Sequence, residues 1–267
     1  MEMHFSQNNS PSYRLIELDE VDSTNSYLRR LDVQSDQRPV LVTAEFQSAG
    51  RGADTNRWES ERGKNLLFSL RLMPKSLPAR RMFAISEATA LAVKDSLDTF
   101  LPSQLSTFNF QLSTFLVKWP NDIYYGDSKV AGILIENDLQ GPLVQRSTIG
   151  IGINVNQRRF LSDAPNPRSL ADIVGHDVER RFVLERFMES FTHHFRQIES
   201  GTPEALDALH ETYKSHLYRL GEEHSYSDKD GTFRATLTDV EPTGHLILRD
   251  TEGILRRYAF KEVKWTP

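Results

Sequence analysis

Apolar positions along the chain recur in two rhythms. Tyr13 to Leu18 alternates apolar and polar residues, the period of a half-buried strand, and Val40 to Phe46 and Asn65 to Leu72 predict two more strands. Residues 79–101 switch to helical spacing, with Phe83, Ala90, Val93, Leu97 and Leu101 on one stripe. Between the first two strands, Asp22-Ser23-Thr24-Asn25 supplies N-cap residues for a short helix that presents Tyr27, Leu28 and Leu31. A stretch from Phe115 reads as strand, tight turn, strand, with Pro120, Asn121 and Asp122 at the bend and a second turn at Gly126-Asp127. Lys129–Glu136 and Leu143–Ile153 then complete a mixed sheet. Leu184, Phe187, Phe191, Phe195 and Ile198 mark a strongly amphipathic helix, and another is predicted from Pro203 to about Leu220.

After Gly221 the segments shorten and alternate, broken by Asp230-Gly231, Thr243-Gly244 and Glu252-Gly253, all hairpin signals. The expected architecture is therefore α/β (α+β): a mixed β-sheet packed with helices over residues 1–220, followed by a small β-barrel or sandwich over 221–267. Gln104-Leu-Ser-Thr-Phe108 recurs as Gln111-Leu-Ser-Thr-Phe115. Five residues are too short for a solenoid unit, so the repeat reads as a local duplication that lengthens the connection between helix and strand.

Composition narrows the classes. A net charge of -5 argues against a chain that coats nucleic acid or anionic membrane through bulk charge. No cysteine occurs, which removes disulfides, thiolate metal sites and thiol nucleophiles. No apolar run approaches the roughly 20 residues of a membrane span, and Met1 to Ser12 has no apolar signal core. The expectation is a cytoplasmic enzyme or binding protein. The eight histidines show no metal-ligand spacing, and His193 and His194 read as solvated helix positions.

Four segments carry candidate chemistry. Lys129 opens an apolar strand interrupted only by Gly132, and a lysine there is costly unless it meets an anion. With Asn121 and Asp122 nearby it suggests a site for a carboxylate or phosphate; a plain hairpin with an edge lysine is the alternative. The loop Glu45 to Trp58 sets Gly50 and Gly52 around Arg51, so successive N–H groups can form an anion nest, Arg51 can add a positive fork, and Trp58 can stack on a planar base. The same loop also reads as a surface loop anchored by its tryptophan. Ser23, Thr24 and Asn25 suit either a helix cap or a small polar ligand head. Gly150 and Gly152 lie on one face of a strand that ends at Asn154, through close packing or through backbone approach to a ligand.

Taken in order, Val21-Asp-Ser-Thr-Asn25, Gln47…Gly50-Arg51-Gly52…Trp58, Lys118-Trp-Pro-Asn-Asp122…Lys129-Val-Ala-Gly132 and Gly150-Ile-Gly-Ile-Asn154 resemble the biotin protein ligases. The resemblance spans roughly residues 13–200, and the hairpin-rich C-terminus is similar to that family's SH3-like domain. It implies ATP-dependent formation of biotinyl-5′-adenylate, then transfer of biotin to a lysine of a biotin carboxyl carrier protein. By this resemblance, biotin would contact Ser23, Thr24, Asn25, Gln47, Gly50, Arg51, Gly52, Ala53, Lys129, Gly132 and Gly150. Asn56, Trp58, Asn121, Lys129 and Asn154 would contact ATP, whose Mg2+ arrives with the nucleotide. Lys129, Arg51 and Asp122 would be the catalytic groups, with Arg51 and Lys129 gathering the carboxylate and α-phosphate.

The chain departs from the family pattern at Ala53 and Thr55, where many relatives have a long polar side chain and a glycine. Too few residues precede Asp22 for the DNA-binding domain of relatives that repress transcription, so no DNA partner is expected. A lipoate or octanoate ligase and a non-enzymatic biotin sensor are the alternatives.

Overall fold

The computed structural model describes residues 13–31, 38–53, 56–102, 114–161 and 166–266. Met1 to Ser12, Asp54, Thr55 and the duplicated segment as far as Ser113 lie outside the described residues; its last two residues, Thr114 and Phe115, are described. Twelve strands and five α-helices occur among the described residues. A seven-stranded sheet contains β1 (Arg14–Val21), β2 (Val40–Gln47), β3 (Leu66–Leu72), β4 (Phe115–Lys118), β5 (Asp122–Tyr125), β6 (Ser128–Gln140) and β7 (Leu143–Ile153). Their order is β1-β2-β3-β7-β6-β5-β4; β1 and β2 run parallel and every other pair antiparallel.

The sheet divides the interior because strand side chains alternate between faces. Leu41, Phe68, Leu70, Ile149, Ile151 and Ile153 belong to the main core. They meet α2 (Phe83–Asp98), α4 (Arg180–Ser200) and α5 (Pro203–Ser215), with Phe68 and Phe187 edge-on at 5.0 Å. Val40 and Val42 instead join Leu28 of α1 (Thr24–Arg30) in a smaller cluster on the opposite face. A one-residue register slip would exchange the two faces, so the pattern pins the pairing. On the α1 side, Gly132, Gly150 and Gly152 leave the backbone of β6 and β7 without side chains.

A second sheet, antiparallel, is built from β8 (Glu223–Asp228), β9 (Gly231–Val240), β10 (Leu246–Asp250), β11 (Leu255–Tyr258) and β12 (Lys264–Trp265), in the order β11-β10-β9-β8-β12. It has the strand content of the expected SH3-like unit.

Several elements differ from their sequence pattern. The helix expected over 79–101 is a 3-10 turn at Ala79–Arg81 followed by α2. The helix expected to reach Leu220 stops at Ser215 because the chain turns back onto β4: Val117 N donates to His216 O at 2.9 Å and Tyr218 N to Val117 O at 2.8 Å. Tertiary hydrogen bonds replace the next helical ones. Ser23 occupies the N-cap of α1, yet its side chain makes no capping bond. A short helix, α3 (Leu170–Val174), has no counterpart in the sequence expectations, although Ser169 caps it and Gly175 closes it at φ 85°. His194 is buried rather than solvated, its Nε2 2.7 Å from Asp95 Oδ2.

Candidate active site

The bare strip of β6 and β7 is covered by the chain's own side chains. A Cβ on Gly150 would lie 2.4 Å from Asn25 Oδ1, and one on Gly152 would lie 2.3 Å from the Trp58 indole. Both glycines are therefore required for Asn25 and Trp58 to sit where they do. Between these groups, the turn before β5 and the second sheet lies a cavity of about 780 Å3. That volume is at the scale of sites for cofactor-sized ligands.

One end of the cavity is uncharged and tightly hydrogen-bonded. Gln47 Oε1 accepts from Thr24 N at 2.7 Å and from the Thr24 hydroxyl at 3.0 Å. The Ser69 hydroxyl lies 2.7 Å from Thr24 Oγ1 and 2.6 Å from Asn25 Oδ1. Asn25 Nδ2 continues the chain to Leu134 O at 3.3 Å and to Glu136 Oε2 at 3.2 Å. Ser23, Thr24, Asn25 and Ser69 are all buried. Such a network holds donors and acceptors in fixed directions, which suits a neutral ligand head with both kinds of group.

The other end is cationic. Lys129 Nζ stands 2.6 Å from Asp122 Oδ1. Asn121 holds the preceding turn to β6: its Nδ2 donates to Ile133 O at 2.5 Å, and Ile133 N donates to Asn121 O at 3.0 Å. Lys118 Nζ donates to the Tyr124 hydroxyl at 3.0 Å and lies 5.9 Å from the Trp265 ring centre. Burial pushes the Lys118 ammonium below the usual lysine range, with Lys129 and Arg219 adding to the effect and Asp122 opposing it. Six basic side chains (Arg51, Arg57, Lys118, Lys129, Lys261 and Lys264) line the cavity, against Asp122 as the one carboxylate among the described lining residues. This excess favours an anionic ligand.

Of the residues singled out in the sequence, Ser23, Thr24, Asn25, Gln47, Arg51, Gly52, Ala53, Asn56, Trp58, Asn121, Asp122, Lys129, Gly132, Gly150 and Gly152 line this cavity. Gly50 and Asn154 do not. Gly50 sits behind the loop, where an added Cβ would come 2.5 Å from Trp58 O. Asn154 is buried past the end of β7; its N donates to Val130 O and its carbonyl accepts from Leu170 N. Arg51 and Lys129 line the same cavity with different partners: the Arg51 guanidinium reaches Glu136, whereas Lys129 pairs with Asp122 and stands beside Gly132.

Sequence reasoning passed over several participants. Lys118 stood within the Lys-Trp-Pro-Asn-Asp motif without being given a role. Ser69 interrupts an otherwise apolar strand, a signal that could have marked it. Phe260, Lys261, Lys264 and Trp265 come from the second sheet, and no local pattern announces that they reach the first.

A hydrogen-bonding neutral pole joined to a cationic pole defines a site for a ligand with a polar head and an anionic end. The sequence matches the Biotin/lipoate A/B protein ligase family over residues 17–154, and the chain belongs to that family. It is 28% identical over 250 residues to the bifunctional ligase/repressor BirA of Bacillus subtilis, covering 92% of this chain and 72% of that protein. It is 27% identical over 236 residues to the biotin–[acetyl-CoA-carboxylase] ligase of Paracoccus denitrificans, covering 87% and 92%. The biotin protein ligase of Aquifex aeolicus, solved in complex with biotin and ATP, superposes with a TM-score of 0.73 at 26% identity, over 95% of this chain and 99% of that one.

Proposed function

We propose that this protein is an ATP-dependent biotin–protein ligase, working in the cytoplasm on a biotin carboxyl carrier domain. The observation that carries the reading is the single cavity joining the Thr24–Gln47–Asn25 hydrogen-bond network to the cluster around Lys129 and Lys118. Biotin's ureido ring offers both donors and acceptors and suits the neutral pole. Its carboxylate would extend toward Lys129.

In the first step a carboxylate oxygen attacks the α-phosphorus of ATP, forming biotinyl-5′-adenylate while pyrophosphate leaves. Two anions must approach each other, and Lys129 supplies the positive charge that lowers their repulsion as charge builds on the phosphorus oxygens. Arg51 adds a second charge on the cavity wall. Asp122 holds Lys129 in place before the anions arrive. Trp58 offers its ring to the adenine, and its buried Nε1–H, which has no partner among the described residues, is a donor free for the ligand. In the second step the acceptor lysine's uncharged amine attacks the acyl carbon and AMP leaves; Asp122 and Asn121 flank its path. Asp122, the one carboxylate among the described residues lining the cavity, would help to hold a magnesium ion brought by ATP, and the ion would supply further neutralisation of phosphate charge.

ATP–pyrophosphate exchange tests the reading, with biotin, lipoate and octanoate supplied separately. Exchange dependent on biotin is expected. Exchange with lipoate or octanoate but not biotin would assign the sibling chemistry instead, and binding of biotin without exchange would make the protein a sensor. Mass spectrometry of a biotin carrier domain incubated with the protein, biotin and ATP checks the second step.

A further inference from the structure

Glu136 belongs to none of the motifs, yet two groups of the site, Arg51 and Asn25, converge on it together with Arg29. Arg51 reaches it with Nη1 to Oε2 at 3.3 Å and Nη2 to Oε1 at 3.2 Å. Arg29 of α1 donates to Oε1 at 2.8 Å, and Asn25 Nδ2 to Oε2 at 3.2 Å. The carboxylate therefore joins the glycine loop, α1 and β6 at one point, and it is continuous through Asn25 and Ser69 with Thr24 and Gln47.

The loop needs such a tie. Glycines on either side of Arg51 leave its backbone weakly restrained. The base of the loop bonds to the end of β1 through Ser48 N to Val21 O and Ala49 N to Asp22 O, both at 2.9 Å. Beyond Ala49, the bonds from Gly52 N to Asn56 O at 2.8 Å and from Trp58 N to Gly50 O at 3.0 Å close the tip upon itself. Ala53 ends at Cβ and can tie nothing. Among the described loop residues, the Trp58 ring rests on Gly132 and Gly152, and Arg51 spans to β6 farther along.

We infer that Glu136 is a positioning residue which, by clasping the Arg51 side chain, holds the Arg51–Gly52 backbone over the neutral pole and so sets the affinity for the ligand head. Arg51 thereby acts as a strut as well as a charge on the cavity wall. Arg29 shares Oε1 with Arg51, so the Glu136 carboxylate keeps a cationic partner when Arg51 flexes. The inference rests on the biotin ligase reading.

The test combines titration calorimetry of biotin with steady-state pyrophosphate exchange on the full chain and the variants Glu136→Ala, Glu136→Gln, Arg51→Ala and the double variant Arg51→Ala/Glu136→Ala. Glu136→Ala should weaken biotin binding about 10-fold and raise its KM alike, while kcat at saturating biotin stays within about 2-fold. Glu136→Gln keeps the shape and one acceptor, and should weaken binding about 3-fold even if the alanine variant folds poorly. In the Arg51→Ala background, removing Glu136 should weaken biotin binding far less than in the wild type, since only its contacts to Asn25 and Arg29 are then left to lose. A merely structural carboxylate would weaken binding equally in both backgrounds, and that result overturns the inference. So would a fall in kcat with KM unchanged, or wild-type affinity in both single Glu136 variants. If the wild-type chain neither binds biotin nor supports exchange with it, the function falls first and the inference with it.

Discussion

Lys129 and Asp122 form a partly buried ion pair on the cavity wall, both side chains about a fifth to a quarter exposed. Its functional worth lies in what replaces Asp122 at the ammonium. With carboxylate and α-phosphate present, Lys129 makes contacts that strengthen as the reaction proceeds. We expect Lys129→Ala to lower biotin-dependent pyrophosphate exchange about 100-fold, the effect of losing about 3 kcal/mol of transition-state stabilisation. Circular dichroism should show the fold unchanged, and near-normal exchange by a folded variant would remove Lys129 from the chemistry. This residue was legible in the sequence because a lysine leading an apolar strand is an anomaly that asks for an anion. Glu136 was not. On a strand edge a glutamate is ordinary, and only the folded chain shows Arg29, Arg51 and Asn25 meeting there.

Between elements, the contact of α2 with α4 carries a titratable cluster remote from the cavity. Burial alone would raise the Asp95 carboxyl, but the hydrogen bond from His194 and the bond and charge of Lys94 outweigh it and hold the group down at about 2. The folded value lies below the unfolded one, near 4 for an aspartate. The stabilisation is then complete above about pH 4 and is lost as the pH falls from there through about 2. His194→Phe removes the main favourable partner, so its acid-unfolding midpoint, followed by circular dichroism, should move up toward pH 4. An unchanged midpoint would show that Lys94 and the Ser190 hydroxyl keep Asp95 ionised without the histidine. No local signal marks this cluster, since two adjacent histidines on a helix look like surface positions until α2 is placed against α4. Strands were more legible: β2, β3, β6 and β7 fall near their expected bounds because alternation and turn residues are local signals. The end of α5 was not, since the bonds that stop it come from β4, about a hundred residues earlier in the chain.

At the scale of the whole molecule, the boundary read near residue 220 separates two sheets, not two independent cores. Tyr226, Leu237, Val240, Leu246 and Leu248 of the second sheet belong to the same buried cluster as Phe115, Val117 and Trp119 of the first. Trp119 Nε1 donates to Gly244 O at 3.0 Å, and Phe260 meets the Trp119 ring edge-on at 6.3 Å. Gly244 has φ +88°, and a Cβ there would lie 2.7 Å from the Phe83 ring of α2. The hairpin turn thus sits against α2 and the Trp119 that leads into Asn121 and Asp122. We expect scanning calorimetry of the whole chain to show one cooperative transition. Trp119→Phe keeps a ring against Phe260 but strips Gly244 O of its donor, and should destabilise by about 1 kcal/mol. Gly244→Ala adds left-handed backbone strain of about 1 kcal/mol to the clash with Phe83, and should lower the same transition further. Both variants should also raise the KM for ATP, because Lys261, Lys264 and Trp265 reach the cavity only while the second sheet stays docked. Two separate transitions, with the larger one untouched by either substitution, would mean that the second sheet is a passenger and that its lysines reach the cavity without the Trp119 contact.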